Sequence, residues 1–166
     1  MSITANEMLD ALERHYTRAA FIRELEAVDE VEIARWEIEP MPFVAGPSLR
    51  RIDALMIDGE QRTAVEVKTS WADYKNESDE KRRPWIALTH RFTYLAPVGV
   101  IPVDRIPEGL GLWEYDGSTI RVVRRCTVRS DVPPLPDYMI RNLLWRVSRL
   151  EQSKRAEKRK NALVQN

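Results

Sequence analysis

The sequence predicts an α/β fold, and three stretches carry that expectation. Thr4-Ala5-Asn6-Glu7 forms a capping box, followed by Leu9, Leu12, Tyr16 and Ala19 or Ala20 at helical spacing. Leu49 to Ile57 and Arg62 to Thr69 alternate with period two on either side of Asp58-Gly59, which is a strong hairpin signal. After Pro133, Pro134 and Pro136, the residues Ile140, Leu143, Leu144, Val147 and Leu150 make an apolar helical stripe. The chain therefore divides into a domain over 1–132 and a Pro-rich linker with a basic C-terminal helix over 133–166.

The first helix is amphipathic, and Glu7 reads as the partner of its cap rather than as a ligand. His15 lies on its Leu12 side and reads as a packing residue. Val31 to Glu39 alternates Val31 and Ile33 against Glu32, Ala34 and Trp36, which predicts a strand. Pro40, Pro42, Gly46 and Pro47 end it and lead into the hairpin. After the hairpin, Ser70 can cap a helix with Asp73 at its third position, carrying Trp71, Tyr74 and Lys75 into a charged turn that Pro84 stops. Trp85 to His90 reads as a short helical segment, and Arg91 to Pro97 as a strand beside the second hairpin strand. A second hairpin, Gly111 to Tyr115 and Thr119 to Arg125, turns at Asp116-Gly117.

Chemistry concentrates in the first hairpin. Glu66 and Lys68 are two apart and share a face, while Val65, Val67 and Thr69 point to a covering layer. A four-residue loop, Asp58 to Gln61, pairs Ile57 with Arg62 and sets Asp53 opposite Glu66; a two-residue loop makes them diagonal neighbours on the same face. Their Cβ atoms are then about 5 Å or roughly 7 Å apart. Two carboxylates so close repel unless a cation lies between them, and a hard divalent ion that keeps several waters suits that place. Lys68 beside it could hold or deprotonate an attacking water.

Asp53 followed by Glu66-Val67-Lys68 resembles the PD-(D/E)XK nuclease superfamily, whose signature is an acid on one hairpin strand and (D/E)-x-K on the next. Ile52 stands where that signature has proline. The text that follows, Thr69-Ser70-Trp71-Ala72-Asp73-Tyr74, Glu80-Lys81-Arg82-Arg83 and His90 to Pro97, resembles the phage and bacterial MmcB-like DNA-repair nucleases, and the likeness continues from Ile106 to Trp113. The resemblance implies a restriction-endonuclease-like core: a helix, a mixed sheet with the metal-binding hairpin, a helix and further strands, plus the C-terminal helix. It implies a DNA nuclease of repair, recombination or processing that uses Mg²⁺ (or Mn²⁺), with Asp53, Glu66 and the Val67 carbonyl as ligands and Lys68 acting on water. A further acid is expected from the first helix or strand; Glu13, Glu24, Glu26 and Glu37 are the candidates, and Glu24 is preferred because Phe21 to Leu25 looks most like the corresponding text. Arg51, Ser70, Lys75, Lys81, Arg82 and Arg83 are the expected DNA contacts. The rival expectation is a non-catalytic nucleic-acid or protein-binding module on the same fold.

The balance of 26 Lys+Arg against 26 Asp+Glu argues by itself against a polyanion binder, but the distribution is uneven. From Asp137 onward there are eight basic residues against three acidic ones, so the remainder of the chain carries five net negative charges. The stripe of the C-terminal helix is expected to cover protein, its own or that of a second copy in a homo-oligomer, with the basic end on DNA. The single cysteine, Cys126, fits a reducing setting as a small buried hydrophobe. No apolar run approaches a membrane span, and Met1 to Asp10 has neither a basic nor an apolar signal region. The expected location is the cytoplasm of a bacterial cell or phage-infected host, with no membrane contact.

Overall fold

The structure, a computed structural model, describes residues 3–38 and 49–164, with side chains over 3–34 and 49–160. Helix α1 spans Ala5–His15 and begins with the expected reciprocal cap: Glu7 N donates to Thr4 Oγ1 at 3.3 Å, and Thr4 N to Glu7 Oε2 at 2.7 Å. It ends earlier than its spacing suggests. Tyr16 leaves the helix to stack on Trp113, 5.4 Å between ring centroids, and the chain turns into a strand, β1, over Ala20–Val28.

This first strand corrects the sequence reading, which put a strand at Val31–Glu39. That segment is instead helix α2, Glu30–Ile38. Asp29 decides the outcome: its Oδ1 accepts from Val31 N at 3.1 Å and its carbonyl from Ile33 N at 3.0 Å, which starts a helix that Glu30 and Glu32 favour through its dipole. Two alternating apolar residues were too short a run to tell strand from helix. The connector at Pro40 to Pro47 lies outside the described residues.

The hairpin is β2, Leu49–Asp58, and β3, Gln61–Val67, joined at Gly59-Glu60. Gly59 has φ +58°, the left-handed conformation for which glycine is suited. After it come α3, Trp71–Lys75, and α4, Asp79–Leu88; then β4, Arg91–Pro97, β5, Gly111–Tyr115, and β6, Ile120–Arg124. Pro84 was expected to stop a helix, yet α4 runs through it. Proline supplies no N–H to the preceding turn, but the Ser78 cap on Lys81 N anchors one side. Buried Trp85, whose Nε1 donates to Arg50 O at 2.9 Å, anchors the other.

The six strands lie in sequence order in one sheet. β1, β2 and β3 are antiparallel, β3, β4 and β5 parallel, and β5 and β6 antiparallel. Alternation along the strands divides the core into two layers. Met8, Leu9 and Leu12 of α1 pack with Ala54, Met56, Val65, Val67 and Leu95 on one face. Asp53 and Glu66 fall at the intervening positions, toward the face that α4 covers.

The chain forms two compact units, Met1–Pro133 and Pro134–Asn166. The second holds α5, Asp137–Val164, a helix on which Ile140, Leu144, Trp145, Val147 and Leu150 are exposed. Among the described residues no helix is long and apolar enough to cross a membrane.

Candidate active site

The hairpin register places the acids. Ile57 pairs with Arg62, and the ladder runs back to Ala54 with Val65, so the next positions, Asp53 and Glu66, stand across from one another. There the ladder gives way to a side chain: Asp53 Oδ2 accepts from Val67 N at 2.7 Å. Beyond it, Lys68 N donates to Leu95 O at 2.9 Å, which keeps the end of β3 tied to β4 and turns the Lys68 side chain to the Glu66 face.

Lys68 is buried, and its Nζ lies 2.9 Å from Glu66 Oε1, 2.6 Å from Glu77 Oε2 and 3.9 Å from Asp73 Oδ1. Burial alone would lower the lysine's affinity for its proton, but Glu66 and Glu77 outweigh it and hold the ammonium above its usual range. Burial, then the neighbouring Asp53, pushes the Glu66 carboxyl up to about 7 despite the lysine. Burial also raises Asp53, against the Val67 N–H and Lys68. Asp53, Glu66 and Glu77 line a cleft of about 260 Å³ with walls that include Arg51, Lys81 and Trp85, so carboxylates and cations face the same space.

The expected contacts separate in the structure. Arg51 and Lys81 are exposed on the cleft, and Lys81 Nζ donates to Asn76 O at 3.2 Å. Ser70 is the cap of α3, accepting from Asp73 N at 3.1 Å, and Lys75 is exposed in its last turn. Arg82 and Arg83 are not presented as a basic cluster. Arg82 is buried, donates to Tyr94 OH at 2.9 Å and pairs with Asp79. Arg83 forks onto buried Asp29, with Nε to Oδ1 at 3.1 Å. Both neutralise charge within the fold.

None of the described acid candidates on α1 and β1 reaches the cleft wall. Glu24 is exposed on β1 with φ +52°, between the pairs Arg23–Ala54 and Leu25–Ile52. Glu13 pairs with Arg23 at 2.8 Å, Glu26 is exposed opposite Arg51, and the side chain of Glu37 lies outside those described. The acid that does line the cleft is Glu77, which sequence reasoning missed. Its local signal is slight: it sits in the joint between two serine-capped helix starts, Ser70 and Ser78, and only tertiary packing brings it to Lys68.

Asp53 and Glu66 offer hard oxygen donors, and Asp53 Oδ1 and Glu66 Oε2 accept no hydrogen bond among the described residues. Such a pair suits a Mg²⁺ that retains most of its water, though among the described residues no three His, Cys, Asp or Glu side chains form a closed metal cage.

No known family matches the chain by sequence, and no curated protein does. A solved structure, the SPO1766 protein of unknown function from Silicibacter pomeroyi, is similar over 93% of this chain and 94% of that one, with a TM-score of 0.62 and 16% identity. The two share a fold, a mixed α/β architecture with a six-stranded mixed sheet and a C-terminal helix on this chain.

Proposed function

We propose that this chain is a Mg²⁺-dependent DNA nuclease of the PD-(D/E)XK type, acting in DNA repair, recombination or processing, with α1, the β2–β3 hairpin, α4 and β4–β5 as a restriction-endonuclease-like core. The observation that carries this reading is Lys68 Nζ at 2.9 Å from Glu66 Oε1, where Glu66 lines a cleft together with Asp53. Asp53 and Glu66, with the Val67 carbonyl, would hold the cation, which when bound supplies Lewis-acid stabilisation of charge on the phosphorus and leaving oxygen. Lys68, kept protonated by Glu66 and Glu77, orients the attacking water and offsets charge on the phosphate. Arg51 and Lys81 on the cleft wall bind flanking phosphates.

The test is incubation of the protein with linear and closed circular, single- and double-stranded DNA in Mg²⁺, Mn²⁺ or EDTA. Cleavage is expected only with metal. Glu66→Ala should lose it through weakened metal binding, whereas Lys68→Ala should retain metal and lose turnover. A wild-type protein inert on every substrate would leave the non-catalytic binding module as the better reading.

A further inference from the structure

Lys68 has more carboxylate around it than one ion pair needs. Glu66, two residues away on the same strand, already lies within 2.9 Å. Glu77, from the joint between α3 and α4, also approaches to 2.6 Å, and its side chain is 3% exposed, more deeply buried than that of Glu66 at 17%. A carboxylate is taken out of water only at a substantial free-energy cost, so its placement calls for a compensating partner. Here the partner is Lys68, and Glu77 Oε2 has no well-angled hydrogen bond besides that ionic contact.

The backbone fixes Glu77 independently of the hairpin. Asn76 N closes α3 on Asp73 O at 3.2 Å, Glu77 N donates to Tyr74 O at 3.0 Å, and Ser78 starts α4 at once. Tyr74 in turn is held by its hydroxyl on Arg105 O at 2.7 Å and by edge contact with Tyr94. Glu77 therefore sits on a rigid corner between two helices, whereas Glu66 is the group that a cation at Asp53 would draw away from the lysine.

We propose that Glu77 is a positioning residue, a second anchor that keeps Lys68 Nζ in place beside the cleft-lining Glu66 when Glu66 is engaged elsewhere. This rests on the nuclease reading for its consequence, though the anchoring itself does not. A lysine tethered only to Glu66 would be pushed off by the same divalent charge that recruits Glu66. With Glu77 still paired to it, the ammonium keeps one ion pair and has its remaining protons free for water and phosphate.

Two measurements test it, on wild type, Glu77→Gln and Glu77→Asp. The first is the rate at which a small amine-modifying reagent labels Lys68 in the folded protein, read by peptide mass spectrometry with exposed Lys75 as the internal standard. Lys68 should be protected in wild type, exposed to reagent in Glu77→Gln, and partly protected again in Glu77→Asp, which keeps the charge on a shorter arm. The second is steady-state DNA cleavage with Mg²⁺. Loss of the anchor should lower kcat by about 10²-fold while KM barely moves, with partial recovery in Glu77→Asp. If Glu77→Gln does not fold, the Asp variant decides on the same two readouts. Unchanged Lys68 labelling, or wild-type kcat in a folded Glu77→Gln protein, overturns the inference and leaves the nuclease reading standing. A wild type without metal-dependent cleavage, in which Lys68 labelling still responds to Glu77, sinks the nuclease reading and keeps the anchor.

Discussion

Asp53 carries two duties that one substitution can separate. Its Oδ2 caps the last strand N–H of Val67 at 2.7 Å, a structural duty that an amide oxygen can also perform. Its charge, set across from Glu66, is a burden without a cation, because burial raises Asp53 and burial with Asp53 raises Glu66 to about 7. The unfolded chain ionises Glu66 near its ordinary 4.5, so between there and about 7 the folded state binds the more protons. Stability contributed by the protonated carboxyl is therefore lost as pH rises across that window and levels off above it. In EDTA, Asp53→Asn should melt at or above wild type at neutral pH and should show a shallower decline between pH 4.5 and 7. Mg²⁺ should raise the melting temperature of wild type and do little for Asp53→Asn. A wild type indifferent to millimolar Mg²⁺ and Mn²⁺, with Asp53→Asn clearly destabilised in EDTA, would make Asp53 a hydrogen-bond acceptor and nothing more. The carboxylate pair was legible in the sequence because strand period and turn chemistry are local. Glu77 was not, because ten residues and both ends of α3 separate it from Glu66.

Elements were legible where local signals agreed and illegible where two periods fitted the same residues. The hairpins at Gly59 and Gly117 and the Thr4 cap follow from chemistry within four residues. β1 was obscured by its charged outward positions, Glu24 and Glu26, and α2 by the pair Val31 and Ile33. Asp29 separates these two elements: it is 1% exposed, caps α2 and receives the Arg83 fork from α4. Burial would raise its pKa, but Arg83 and the Val31 N–H hold it below the ordinary range, so its contribution is present at neutral pH and fades as pH falls. Arg83→Ala leaves that carboxylate without its cation. Because the arginine is itself 37% exposed, the loss should be smaller than for a dry pair, read as a modest fall in the urea midpoint. Asp29→Asn, which keeps a cap oxygen, should lose less than Asp29→Ala in urea unfolding. Equal losses would mean that the start of α2 does not depend on the cap.

At the scale of the whole molecule, the charge asymmetry seen in the sequence maps onto the two compact units, an acidic body and a basic helix. On α5 the apolar stripe that begins at Ile140 ends at Leu150, while the helix continues through Lys154, Arg155, Lys158, Arg159 and Lys160 with Glu157 as the one acid among them. These five cations lie beyond the stripe and are exposed, so packing does not account for them. A chain stopped after Ser153 keeps Ile140 through Leu150 intact, along with any self-association through that stripe, and removes the segment that carries the basic end. If that end lies along DNA phosphates, the truncated chain should bind DNA more weakly, and log K against log salt should flatten by roughly 0.9 for each duplex phosphate no longer neutralised. Cleavage of saturating DNA should hardly change, because the cleft residues belong to the other unit. Affinity and salt slope that match the full chain would make the basic end a solvated face, and would leave Arg51 and Lys81 to account for DNA binding alone.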